Sequence, residues 1–321
     1  MARRGRPGAG LFRAERDAYR RRRAALGIRG EDDLFGGVVP HAFVASKAIT
    51  HPLPPDAAAA PEGWSPRLAG ELEGAVLAGF AAFSAADAMA AGLRLLERGP
   101  VRVKAVGGVA GHDQLVVRSA GELRARIEAE DPAQLSAVGL ALEEDLAEVT
   151  TYSVGQVRVA GLVASYYGVQ RHTTDNLGEE TYGGSSLLVA RGGFRALLAL
   201  DLPDSVRTAI RQARRYDRAV GRCYLGLIAS RRNYDVAQGI AADGRVRSGV
   251  LEQSWRIGGA SGAEVAALRA FRADPSLASV TATTVEIFGS AAPPPADALP
   301  LFAGTDSAVG PLTRYVLVDK P

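Results

Sequence analysis

The sequence predicts an α+β fold in which antiparallel sheets and helices mix without the regular βαβ cadence of a doubly wound sheet. Three observations carry that prediction. Strand-like runs meet at tight turns, as at 151–169, where two alternating segments flank Ala160-Gly161. Helix starts are marked separately by Ser84, Ser119 and Ser261, each followed three residues later by an acid: Asp87, Glu122 and Glu264. The composition is that of a folded chain, with 321 residues, 47% hydrophobic and 23% charged.

Taken in order, residues 1–30 read as a charged helix or a disordered arm. Residues 31–50 are apolar and glycine-containing, and suit ordered loop and strand. Residues 51–66 carry Pro52, Pro54, Pro55, Pro61 and Pro66, which exclude a long helix. Ser84 then opens a helix that stops at Gly99-Pro100. VRVKAV (101–106) alternates with period two, so Arg102 and Lys104 share one face and Val101 and Val103 the other. A glycine-rich turn leads to a second strand at 115–117. Ser119 starts the next helix, with Leu123 and Ile127 inward. LALEEDL (140–146) is a short strand running into a turn. Residues 204–220 form an amphipathic helix begun by Asp204, and 249–255 a strand. Ser261 and Glu264 are expected to cap a helix through Phe271. TATTVEIFG (281–289) is a late strand, and the proline-rich 293–300 segment leads to a tail.

No run of 18 or more apolar residues exists, so no helical membrane span is expected. The N-terminus has arginines without an apolar core, unlike a secretory signal. Cys223 is the single cysteine, so no internal disulfide forms. A cytoplasmic location fits these features. The net charge of +3 is concentrated in the first 29 residues, including Arg20 to Arg23, and the remainder is slightly acidic. Such an arm can touch nucleic acid or anionic lipid. No aromatic residues interleave with the arginines to stack on bases, which disfavours nucleic acid.

Two segments carry candidate chemistry. In VRVKAVGGVAGHDQLVV (101–117), Lys104 is followed by Gly107, Gly108 and Gly111 and then by a strand. A hairpin tip without side chains lets backbone N–H groups approach an anion, and Lys104 adds positive charge beside it. The order excludes a Walker loop, in which the glycines precede the lysine and a helix follows directly. A plain hairpin is the simpler alternative. In 233–259, Asp235 and Glu252 are expected on neighbouring strands joined by an Asp243-Gly244 turn. Glu252, Ser254 and Arg256 are expected on one face of the second strand, and Leu251, Gln253 and Trp255 on the other. Mg²⁺ takes oxygen ligands, usually one or two carboxylates plus phosphates, which Asp235 and Glu252 could supply. A structural Glu–Arg pair is the alternative.

Taken together, these segments resemble the ATP-grasp superfamily, the fold of biotin carboxylase and D-alanine–D-alanine ligase. VRVKAVGGVAG is similar to the lysine-and-glycine loop that closes over ATP, and LEQSWRIGG to the Glu-x-Asn-x-Arg metal strand. The match runs from about Phe43 to Gly259. DLFGGVVPHAFVASKAITHPL, YGGSSLLVARG, SRRNYDVAQG and GVLEQSWRIGGASGAEVAAL further resemble one bacterial family labelled a domain of unknown function.

The resemblance implies a two-lobed fold and four stretches: a basic arm (1–30), a remnant N-terminal domain and linker (31–66), a small lobe (67–137) and a large lobe (138–321). It implies ATP and Mg²⁺ or Mn²⁺ as cofactors. Lys104 would contact the phosphates with Gly107, Gly108 and Gly111, and Lys47 would be an earlier nucleotide contact. Glu143 or Glu144 would meet adenine and ribose, and His172 would lie in a patch near the triphosphate with Gln170 and Arg171. Asp235 and Glu252 would bind the metal, helped by Ser254 where the family has Asn. Arg256 would be catalytic together with Lys104. Only 46 residues precede Lys47, which implies that the family's N-terminal Rossmann-like domain is reduced or truncated here. The activity implied is ligation of a carboxylate, as yet unidentified, to an amine or thiol through an acyl phosphate, in an enzyme type that is often a homodimer. The alternatives are a non-ligating ATP-binding or regulatory protein, favoured by Ser254, and a binding module acting through the basic arm.

Overall fold

The computed structural model describes residues 19, 21–105 and 114–320. Gly107, Gly108 and Gly111 lie outside the described residues, as does the basic arm up to residue 18 together with Arg20. The architecture is α+β with antiparallel sheets. Among the described residues, no helix is long and apolar enough to cross a membrane.

Residues 21–25 are helical; the first strand is β1 (Gly37–Val38), and helix α1 (Arg67–Leu72) follows it. A four-stranded sheet then forms from β2 (Gly79–Ala82), β3 (Val101–Ala105), β4 (Gln114–Val117) and β5 (Leu140–Glu144), in the order β2-β5-β3-β4. Helices α2 (Ala85–Leu96), α3 (Ala120–Glu128) and α4 (Pro132–Val138) cover one face of it. Ala88, Ala91, Leu95, Leu123, Ile127 and Leu135 pack there on Val101, Val103, Leu140 and Leu142. The period-two pattern of VRVKA therefore does what the sequence predicts, with valines toward the helices and Lys104 away from them.

The large sheet holds β6 (Ala147–Val159), β7 (Leu162–Thr174), β8 (Glu180–Arg191), β10 (Arg231–Ile240), β11 (Val246–Ser254), β12 (Ser279–Phe288), β13 (Leu299–Asp306) and β14 (Gly310–Asp319). Its order is β11-β10-β6-β7-β8-β12-β14-β13, while the short β9 (Ile228–Ala229) pairs with β1. Helix α5 (Phe194–Leu198) leads into α6 (Asp204–Cys223), which packs through Val206, Ile210, Ala213, Tyr216 and Val220 on the face bearing Val154, Tyr234 and Val236. Helix α7 (Ser261–Ala273) packs with Val157, Tyr166, Leu187 and Val280. Val154 and Val157 differ in phase along β6, so the two helices cover opposite faces.

Some local expectations change. Ser84 Oγ does accept from Asp87 N at 3.1 Å, but the buried Asp87 carboxylate accepts from Ala58 N (3.0 Å) and Ala59 N (3.1 Å) instead of closing the capping box, tying down the proline-rich segment. Ser261 does not cap α7: it is the first helical residue, and Glu264 is drawn to a buried arginine instead. Residues 299–319 are a hairpin on the sheet, because Leu312 and Val316 bury themselves there. In β11 one residue is extra: Asp235 faces Glu252, but Val236 faces Val250. The bulge at Leu251 resets the alternation. Val250 thereby enters the core under α6, while Leu251 leaves Gln253's face and packs near Ala237.

Candidate active site

Lys104 lies at the end of β3 on the face away from the helices. Its neighbour in β5 is Ala141, and Glu143 stands one step along on the same face. The Lys104 Nζ pairs with Glu143 Oε1, and His51 Nε2 lies 3.0 Å from Glu143 Oε2. All three side chains are buried. Gly79 makes room for the histidine, since a Cβ at that position would stand 2.7 Å from its ring. Burial alone would push the Glu143 carboxyl up. The Lys104 ammonium and the His51 ring outweigh it and bring the group down to about 2. Arg102, on the same face, bonds Asp145 at 2.6 Å.

Asp235 and Glu252 are direct partners across β10 and β11, on one face of the large sheet. Asp235 Oδ1 accepts from Ser153 Oγ at 2.9 Å and from Asn233 Nδ2 at 3.1 Å. Burial, then the charge of Glu252, pushes the Asp235 carboxyl up. Glu252 Oε2 is 3.2 Å from Lys47 Nζ. Lys47 begins a single helical turn, Lys47–Thr50, that ends beside His51. That turn contacts β11 on one side and β2 and β5 on the other. One short segment thus delivers Lys47 to the large sheet's carboxylates and His51 to the small sheet's Lys104–Glu143 pair.

The remaining candidates fall as follows. Ser254 continues the face of Glu252, but its Oγ and carbonyl both accept from Arg231 Nη1, at 3.4 and 3.2 Å. The Arg256 side chain is exposed and donates to Ile257 O at 3.1 Å. Glu144 accepts from Ala78 N at 3.0 Å and lines a surface cleft with Arg98, Asp145 and Arg247. His172 is exposed and pairs with Glu180 across the β7–β8 hairpin at 2.8 Å. Gln170 Nε2 donates to Ser153 Oγ at 3.3 Å and so belongs to the surroundings of Asp235. Among the described residues, no group of three or more His, Cys, Asp or Glu side chains gathers as a metal site.

The sequence did not single out the support behind Asp235. Arg231, Asn233 and Asp235 alternate along one face of β10. Arg231 makes a forked bond with Glu264 of α7, with contacts of 2.9–3.1 Å. Tyr166 Oη lies 2.6 Å from Glu264 Oε1 and 2.9 Å from Asn233 Oδ1. Gly155 makes this possible, because a Cβ there would stand 2.3 Å from the Tyr166 ring. The R-x-N-x-D alternation was the available signal.

The family model described as protein of unknown function (DUF3182) matches residues 14–316. No curated protein matches the chain. Among solved structures, a biotin carboxylase–βγ-ATP complex from Campylobacter jejuni is similar at 12% identity and a TM-score of 0.46, over 78% of this chain and 60% of that one. A phosphoribosylamine–glycine ligase from Thermotoga maritima is similar at 16% identity and a TM-score of 0.48, over 93% and 77%. A D-alanine–D-alanine ligase from Coxiella burnetii is similar at 13% identity and a TM-score of 0.33, over 58% and 45%. The chain thus spans 60% of the length of that biotin carboxylase.

Proposed function

The chain belongs to the family described as protein of unknown function (DUF3182), and from its own site we propose that it binds Mg·ATP and ligates a carboxylate to an amine or a thiol. The observation that carries this reading is the pairing of Asp235 with Glu252 on one face, with the Lys47 ammonium 3.2 Å from the second carboxylate. Two adjacent carboxylates, one pushed toward its neutral form by burial and by the other's charge, fit a small oxygen-seeking cation such as Mg²⁺ or Mn²⁺. Asp235 and Glu252 would hold it. When bound, such a cation offsets charge on a transferring phosphoryl group.

The rest falls to the chain's own residues. Lys47 and Lys104 supply fixed positive charge for the phosphates, and Glu143 and His51 hold Lys104 in place. Of the two candidates for the nucleoside end, Glu143 or Glu144, the first has both oxygens taken by Lys104 and His51, which leaves Glu144 to meet adenine and ribose. Arg256, with its exposed guanidinium, steadies the acyl phosphate. In that scheme a substrate carboxylate oxygen bonds to the γ-phosphorus as the bond to the β-phosphate oxygen breaks and ADP leaves. An amine or thiol then attacks the acyl carbon, and phosphate leaves.

A second reading, an ATP-binding protein that does not ligate, is favoured by the burial of Lys104 against Glu143. ADP release measured across a panel of carboxylates, with ammonium, amino acids or thiols supplied, separates the two. The ligase reading expects ADP only when one carboxylate is present, and faster release with its nucleophile. ATP binding with no carboxylate-dependent ADP from any panel member would favour the second reading.

A further inference from the structure

Mg²⁺ seeks about six oxygens, and the two carboxylates leave positions to fill. The next pair along the same ladder is Asn233 opposite Ser254. Ser254 is a poor candidate. Its hydroxyl and carbonyl oxygens both face the Arg231 guanidinium, which repels a second cation. Asn233 is differently placed. Its amide stands between Asp235 Oδ1, 3.1 Å from Nδ2, and Tyr166 Oη, 2.9 Å from Oδ1.

Tyr166 has one proton and two acceptors within reach. Glu264 Oε1 is nearer, at 2.6 Å, and is a carboxylate, so it holds the proton more strongly. The phenol oxygen then presents a lone pair to Asn233 Oδ1. A half-turn of the amide removes that conflict by letting Nδ2 donate to Tyr166 Oη. The same half-turn sets Oδ1 beside the Asp235 carboxyl, where two oxygens repel unless a proton or a cation lies between them.

We propose that Asn233, rather than Ser254, completes the protein's oxygen set for the divalent cation, by turning its amide oxygen toward the metal shared by Asp235 and Glu252. Tyr166 receives the turned amide group, and Glu264 and Arg231 hold Tyr166 in register. The proposal rests on the metal reading of Asp235 and Glu252 given above.

The test is Mn²⁺ binding to the full chain, followed by the electron paramagnetic resonance signal of the free ion, with thermal melts of every variant. Asn233→Ala is expected to weaken Mn²⁺ by about tenfold or more. Asn233→Asp, which returns an oxygen to the position, is expected to restore affinity to within threefold of wild type. Ser254→Ala is expected to stay within twofold. Asn233→Ala within twofold of wild type, or a tenfold loss in Ser254→Ala, would overturn the proposal while leaving the two carboxylates as ligands. No Mn²⁺ binding by wild type, or unchanged binding by Glu252→Gln, would overturn the metal reading and this proposal with it.

Discussion

Glu143 carries two partners in a place where an unpaired charge would be untenable: Lys104 on one oxygen and His51 on the other. Its folded value of about 2 lies below the ordinary 4.5. A depressed carboxyl contributes stability that is complete above its unfolded value and is lost as pH falls through its folded one. Acid unfolding monitored by circular dichroism is therefore expected to show a loss between about pH 4.5 and 2 that Glu143→Gln lacks. Removing one partner alone is expected to be harsher: Lys104→Ala strands the carboxylate at a cost of about 3–5 kcal/mol. Lys104→Met combined with Glu143→Gln should recover most of it, as urea melts would report. Asp235 behaves in the opposite sense, because its carboxyl is raised by burial and by Glu252. Mn²⁺ affinity should accordingly keep rising with pH beyond the ordinary aspartate value of 3.8. Lys104, Asp235 and Glu252 were legible as residues because of their neighbours in sequence. The partnership of Lys104 with Glu143 was not, since strand register is set by packing. His51, followed by a proline in a segment read as connecting chain, offered no pattern at all.

Elements decide which way these side chains face. The hairpin from β10 to β11 was legible from its Asp243-Gly244 turn, and so was the pairing of Asp235 with Glu252. The bulge was not, because Leu251 looks like any other strand residue and only the packing of Val250 reveals the changed phase. Deleting Leu251 is expected to force Val250 and the residues before it off the α6 core, lowering the melting temperature and abolishing Mn²⁺ binding together. Gln253 is a second anchor. Its Nε2 donates to Val44 O (3.0 Å) and Ser46 O (2.8 Å), and its Oε1 accepts from Tyr216 Oη at 3.2 Å. Thr50 is 3.1 Å from the same tyrosine oxygen. The segment that carries Lys47 is thus fastened to β11 and α6. Gln253→Leu should cost about 2–6 kcal/mol, at roughly 1–3 for each of the two buried carbonyls left unpaired, and weaken nucleotide binding through Lys47. Calorimetry on the folded fraction checks the second effect.

At the scale of the molecule, the α+β class followed from hairpins and separate helix starts, and the antiparallel sheets bear it out. What the local patterns missed lay where strands are nearly continuous in small or polar residues, as in β8, or where a proline-rich lead-in masked a hairpin, as before β13 and β14. The Lys47–Thr50 turn and the His51 that follows it link Lys104 and Glu143 with Glu252 through pairs 92 residues (His51–Glu143) and 205 residues (Lys47–Glu252) apart in the chain, beyond the reach of any local pattern. Ligand that binds only the folded chain should stabilise it by about 2.7 kcal/mol at a hundredfold excess over Kd. The most direct measurement is calorimetric titration of ATP with and without Mg²⁺. It should be made on wild type, on Glu252→Gln and on the double variant Lys104→Met/Glu143→Gln, which removes the ammonium without stranding its partner. A nucleotide site of the kind described here would give Mg²⁺-dependent binding in wild type, binding without that dependence in Glu252→Gln, and much weaker binding in the double variant. Folded wild type that takes up no ATP under either condition, or variants that bind as wild type does, would contradict it.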